Sequence, residues 1–267
     1  MNNEKEFKPL SESTALDPYQ DIKLKVISKL SVPSQAMLDF FTYMAEKGWN
    51  LYIKEDFLRN CISEFSQKMI KDLYQEDVNE TFMGKRNYLI LPRLCDSDRN
   101  RIMWKWQGNL MEIIAGNMFK QKVHPFTNKY ELDCWVGNSK DDMGVDGWAQ
   151  HVANPKFKIG IQVKYRQEKD IKWNDQISKC IAITHRYADQ LARDGIFTDK
   201  ECIEWMREIP AKSIIVTTTK IGDTVDRAVG KESYDYIDSD CMLKSIGKKN
   251  KNNGNKLFWE RTLDSIK

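Results

Sequence analysis

The chain has 267 residues, 41% hydrophobic and 30% charged, enough to bury a core and too apolar to be disordered by composition. The net charge of +3 excludes bulk basicity as an argument for nucleic-acid binding, so any such role must rest on local patches. No run of about 18 apolar residues occurs, and Met1 to Gln20 lacks the apolar core of a signal peptide; no membrane partner and a cytoplasmic location are expected.

Residues 1–20 read as a loose arm, with Pro9, Ser11, Ser13 and Pro18 set among charges. From Pro33 a helix is predicted, carrying Met37, Leu38, Phe41, Met44 and Ala45 on one face and stopped by Gly48. A second helix is predicted near 55–74, where Leu58, Cys61, Ile62, Phe65, Met69 and Leu73 recur at steps of three and four. Tyr88 to Leu91, closed by Pro92, reads as a strand or an extended connector. Asp96, Ser97 and Asp98 are N-cap candidates for a long helix bearing Trp104, Trp106, Leu110, Ile113, Ile114 and Met118. Trp104, Trp106, Trp148 and Trp173 are expected to pack, and Trp148 is the one that would otherwise touch a substrate.

After Pro125 the period changes. Residues 130–136 alternate like a half-buried strand, Met143 to Val152 form a second broken by Gly144 and Gly147, and Lys158 to Tyr165 form a third. Short turns between them predict an antiparallel meander. Ile177, Cys180, Ile181, Thr184, Tyr187, Ala188 and Leu191 mark an amphipathic helix, and a short helix follows near 199–208. Ser213 to Thr219 is a β-branched strand, and the helical crossover before it implies parallel pairing. From about 230 the chain reads as a flexible basic tail, with Lys244, Lys248, Lys249, Lys251 and Lys256, until Leu257 to Trp259 dock a last short helix. The expected units are a helical region at 1–95, a mixed-sheet α/β core at 96–225 and the basic tail at 226–267.

Six cysteines at 61, 95, 134, 180, 202 and 241 form no C-x-x-C pair, and there are only three histidines; this argues against a structural zinc site and for reduced, buried thiols. The chemistry instead gathers around Asp146. Its carboxylate can bind a divalent metal, while Gly144 and Gly147 permit a bend and a close backbone approach. Gln162 and Lys164 are two apart and so share a strand face, with Val163 turned toward the core. Gln162 can offer a carbonyl oxygen, and Lys164 can orient water or counter charge on a phosphate. Glu112 is a fourth candidate, for a second metal or a supporting shell; Gly108 and Gly116, a turn before and after it, would let that helix approach a strand or a substrate. Mg²⁺ takes few protein carboxylates and keeps several waters, so such a sparse set suits Mg²⁺, with Mn²⁺ as a substitute.

Asp-Gly, a spacer and then an apolar strand ending in Gln-x-Lys resembles the PD-(D/E)xK nuclease superfamily, and the glutamine in place of the usual acid resembles its Mrr-like restriction endonuclease branch. That branch carries a glutamate on the helix before the sheet, which Glu112 matches. Residues from about 102 to 219 follow the family order of helix, three-stranded meander, crossover helix and strand, under half of the chain. The resemblance implies a restriction-endonuclease-like α/β core, a mixed central sheet flanked by helices, and Mg²⁺-dependent cleavage of double-stranded DNA. The helical N-terminal region and Lys244, Lys248, Lys249 and Lys251 would position the DNA, and a homodimer would cut both strands. Gln162 is a weaker metal ligand than a carboxylate, so one tightly held metal is expected, and Glu131 and Asp133 on the first strand are rival acids.

Other readings remain open. Asp-Gly is a favoured turn pair. Gln162 and Lys164 would equally suit the solvent face of a strand, and Glu112 a surface position. At the level of function the rivals are a structure-specific nuclease of the Holliday-junction resolvase or repair type, and an inactive DNA-binding or interaction protein on the same fold.

Overall fold

The computed structural model describes residues 35–47, 57–83, 96–136, 144–167, 171, 177–209, 211–220, 234–247 and 256–266. In chain order these form α1 (Gln35–Lys47), α2 (Phe57–Met83), α3 (Asp96–Lys120), β1 (Tyr130–Trp135), β2 (Gly147–His151), β3 (Asn154–Lys164), α4 (Ile177–Arg193), α5 (Asp199–Glu208), β4 (Ser213–Thr217), β5 (Asp235–Ile237), α6 (Ser239–Ile246) and α7 (Phe258–Ile266). No helix among the described residues is long and apolar enough to cross a membrane.

The strands make one mixed open sheet in the order β1-β2-β3-β4-β5. β1, β2 and β3 pair antiparallel, as short turns require, whereas β4 and β5 run parallel to β3. The meander and the parallel return through α4 and α5 are those the sequence predicts. Thr198 caps α5 in a reciprocal box: its N–H donates to Glu201 Oε2 at 2.8 Å and its Oγ1 accepts from Glu201 N at 3.2 Å.

Alternation along β3 divides the molecule into two layers. Ile159, Ile161 and Val163 join the apolar cluster that contains Leu110 and Ile114 of α3. Gly160 faces α4, where a Cβ would stand 2.8 Å from Thr184 Oγ1 and 2.9 Å from Cys180 Sγ. A side chain there would prevent α4 from seating; instead Gly160 N donates to Thr184 Oγ1 at 3.1 Å. Gln162 and Lys164 follow Gly160 at steps of two and share its face.

Over the far side of α3 close α1, α2 and α7. Phe40 meets Phe65 edge-on at 5.5 Å and Trp259 at 6.1 Å. Each such buried ring stabilises the fold by roughly 1.5–3 kcal/mol. This apolar cluster runs without a break from α1 through the sheet to α7, across the boundaries expected at residues 95 and 225.

Several details differ from the sequence expectation. α2 extends to Met83, past the expected end near 74. Trp104 is 62% exposed, not packed, because apolar residues surround α3 on most sides and no single stripe tells which tryptophan turns inward. β5 and α6 occupy part of the region read as a basic tail; Asp238 caps α6 by accepting from Cys241 N at 2.8 Å. Tyr88 to Leu91, Trp173, Lys248, Lys249 and Lys251 lie outside the described residues.

His124 gives the fold an acid limit. Its ring stacks on Phe119 at 4.2 Å and its Nδ1 accepts from Phe126 N at 3.2 Å. Burial lowers its pKa from 6.5 to about 4, the bond to Tyr130 opposing that shift. The folded value lies below the unfolded one, so this contribution is complete above 6.5 and is lost as pH falls toward 4. Chemical melts should show the wild type losing up to roughly 3 kcal/mol across that window relative to His124→Gln. Parallel pH profiles for the two proteins would refute the assignment.

Candidate functional site

β2 and β3 stay in register through the pair Gly147 and Ile161, and Asp146 is the next residue out. There the strands part. The N–H of Val163 donates not to a backbone carbonyl of β2 but to Asp146 Oδ2, at 2.6 Å. Gln162 Nε2 donates to the same carboxylate oxygen. Asp146 itself is tied on both sides, its N–H to Ile161 O at 2.8 Å and its carbonyl accepting from Val136 N at 3.0 Å. It is therefore a fixed carboxylate at a strand fork, not the tip of a tight hairpin.

Gln162 is 1% exposed and Asp146 6%, so neither lies on a solvated strand face. With Nε2 committed to Asp146, Gln162 Oε1 is buried with no hydrogen-bond partner among the described residues. Lys164 ends β3 on the same face. Cys180 of α4 feels both charges: burial pushes its thiol well above the usual value, Asp146 raises it further and Lys164 opposes them.

Glu112 belongs to the other layer, on α3. Gln107 Nε2 bonds Ser66 Oγ of α2 at 2.7 Å, and Gln121 Nε2 bonds Thr262 Oγ1 of α7 at 3.1 Å. At roughly 100° per residue, Glu112 lies about 140° round from Gln107 and about 180° from Gln121. It thus turns from the helical layer toward the sheet, and is 8% exposed. Glu112 and Lys164 approach from opposite faces, so a shared site requires meeting beyond the end of β3.

The rival acids are otherwise engaged. Glu131 pairs with Lys122 at 2.7 Å and Asp133 with Lys158 at 2.9 Å. Trp148 is a packing residue, its ring 5.0 Å from that of Tyr187. Gly147 serves packing rather than substrate approach, since a Cβ would stand 2.6 Å from the Trp135 ring. Gly144 fits the expected bend, with φ of 90°. Lys244 is exposed in the last turn of α6.

Among the described residues no group of three or more His, Cys, Asp and Glu side chains converges. A metal would have to be held sparsely. The second carboxylate oxygen of Asp146 and the buried Oε1 of Gln162 are hard oxygen donors in contacting side chains, which fits Mg²⁺ or Mn²⁺ and not a thiolate-seeking ion. The residue that sequence reasoning missed is Val163, whose side chain faces the core while its backbone N–H fixes the carboxylate.

The fork separates two roles of Asp146. Asp146→Ala leaves the Val163 N–H without its acceptor and should cost about 1–3 kcal/mol in a denaturant melt. Asp146→Asn keeps an oxygen at the position that accepts from both Val163 N–H and Gln162 Nε2, so its stability should stay near wild type. Equal losses in both variants would contradict this arrangement. No protein-family model, curated protein or solved structure matches this chain.

Proposed function

We propose that this protein is a metal-dependent endonuclease on a restriction-endonuclease-like core, hydrolysing phosphodiester bonds in duplex DNA. The observation that carries this reading is the contact between the Asp146 carboxylate and the buried Gln162 amide at the fork of β2 and β3, on the strand face that ends in Lys164. Asp146 and Gln162 would hold Mg²⁺, which when bound supplies charge neutralisation at the scissile phosphate. Lys164 carries a positive charge to a non-bridging phosphate oxygen or orients the attacking water. The Val163 N–H and the Gln162 amide hold the carboxylate in place, so little reorganisation accompanies the reaction.

A second reading has one observation in its favour. Asp146 Oδ2 already takes two protein donors, as a structural brace would. On that reading the chain is an inactive DNA-binding or interaction protein. A structure-specific nuclease of the junction-resolving or repair type uses the same site, and branched substrates distinguish it.

The deciding experiment incubates supercoiled plasmid, branched junctions and single strands with Mg²⁺ or Mn²⁺. Wild type should cut, and Asp146→Asn and Lys164→Ala should cut at least about a hundredfold more slowly at unchanged melting temperature. No cutting of any substrate with either metal sinks the enzyme; wild-type rates in both variants sink the site.

A further inference from the structure

Lys164 has a polar neighbour across the parallel ladder. β3 and β4 pair with Lys164 opposite Thr217 and Gln162 opposite Ile215. Residues paired on adjacent strands point to the same face of a sheet. Ile215 packs with Ile177 and Ile181 of α4, whereas Ile214 and Val216 join the α3 cluster. Thr217 therefore stands beside Lys164 on the α4 face. Asp146 flanks this stretch of β3 from the β2 side and Thr217 from the β4 side. Past the ladder the strands stay tied, because Thr218 Oγ1 accepts from Arg166 N at 2.9 Å and donates to Arg166 O at 2.8 Å.

The hydroxyl of Thr218 is thus fully used, but those of Thr217 and Thr219 are not. Thr217 Oγ1 accepts from Thr219 N at 3.2 Å and lies 3.4 Å from Thr219 Oγ1. Each hydroxyl brings a single hydrogen, and the contact between them takes only one of the pair. Whichever donates, the other hydrogen is left without an acceptor among the described residues. Thr217 is 0% exposed, and its only acceptor among the described residues is Thr219 Oγ1. Thr219 is 8% exposed and precedes the exposed Lys220, so the spare hydrogen is carried to the rim. Buried hydroxyls ordinarily find an acceptor. A spare O–H next to an ammonium suits a group with negative charge and several acceptor oxygens, as a phosphate has.

We infer that Thr219 is a phosphate contact, an assignment that rests on the nuclease reading for the identity of the anion. Its Oγ1 donates to a non-bridging oxygen of the duplex phosphate that Lys164 meets. Thr217 orients it, accepting from the Thr219 N–H and donating to the Thr219 hydroxyl oxygen. The phosphate then lies between the Asp146–Gln162 cation site on the β2 side and the hydroxyl pair on the β4 side.

Thr219→Val keeps the side-chain shape and the backbone N–H and removes only the hydroxyl; Thr219→Ser keeps the hydroxyl. Plasmid cutting with Mg²⁺ or Mn²⁺, anisotropy of a labelled duplex oligonucleotide in EDTA and melting temperature are measured for each. Thr219→Val should lower kcat/KM about ten- to hundredfold and weaken duplex binding, melting no lower than wild type. Thr219→Ser should restore most of both losses. Wild-type cutting and binding by Thr219→Val, with Lys164→Ala impaired, overturns the contact and leaves the nuclease standing. Equal impairment in the two Thr219 variants, or a lower melting temperature in Thr219→Val, assigns the hydroxyl to packing and also overturns it. If wild type cuts nothing with either metal, the nuclease reading fails and binding decides. Duplex binding that falls in Thr219→Val and recovers in Thr219→Ser then upholds the phosphate contact. Binding that ignores the substitution, or none by the wild type, overturns it.

Discussion

One buried donor organises this site. Val163 must face the α3 core, so its N–H points along the sheet to where β2 is already leaving. A buried N–H without an acceptor costs roughly 1–3 kcal/mol. Asp146 supplies the acceptor from its side chain, and in doing so its carboxylate is held at the fork. Gln162 then has a carboxylate as its lateral neighbour, donates from its amide to that carboxylate and to Val163 O at 3.3 Å, and keeps its oxygen buried without a partner among the described residues. The candidate chemistry and the closure of the sheet are the same set of bonds, which is why the position of Asp146 does not depend on a bound ligand.

The sheet is a partition as well as a platform. α4 comes close to β3 because Gly160 has no side chain, and this brings Cys180 and Thr184 against the strand face that Gln162 and Lys164 share. α3 lies across the sheet and brings Glu112 from the other side. The two layers share only the rim beyond Lys164, where α2 grips Tyr165 and Gln167. A site shared by Lys164 and Glu112 would have to lie at that rim, at the C-terminal ends of β3 and β4.

Much of this was legible in the chain. Alternation in 130–136 and 158–165 gives strands, the step from period two to 3.6 after Ile177 gives α4, and Asp-Gly with Gln-x-Lys contains two residues, Asp146 and Gln162, that do touch. What stayed hidden depends on backbone and register. The Val163 N–H has no letter in a sequence. Gly147 reads as a flexible position, yet its role is set by Trp135, its partner across β1. Glu131 and Asp133 look available until the fold brings Lys122 and Lys158 to them, and an irregularity at Leu132 and Cys134 obscures that register. β5, three residues long, is too short to show any period, and α6 is announced only by Asp238. Trp104 was missed as a surface residue because α3 is apolar around most of its circumference.

The central claim is that the fork carboxylate and the Gln162 oxygen form a cation site. Calorimetric titration of Mn²⁺ into the wild type, Asp146→Asn and Gln162→Leu measures this without substrate or turnover. The account predicts saturable, near-stoichiometric uptake by the wild type and its loss in Asp146→Asn at unchanged melting temperature, with weakened uptake in Gln162→Leu. No saturable uptake by the wild type, or equal uptake by Asp146→Asn, would contradict it and leave Asp146 as a brace of the sheet.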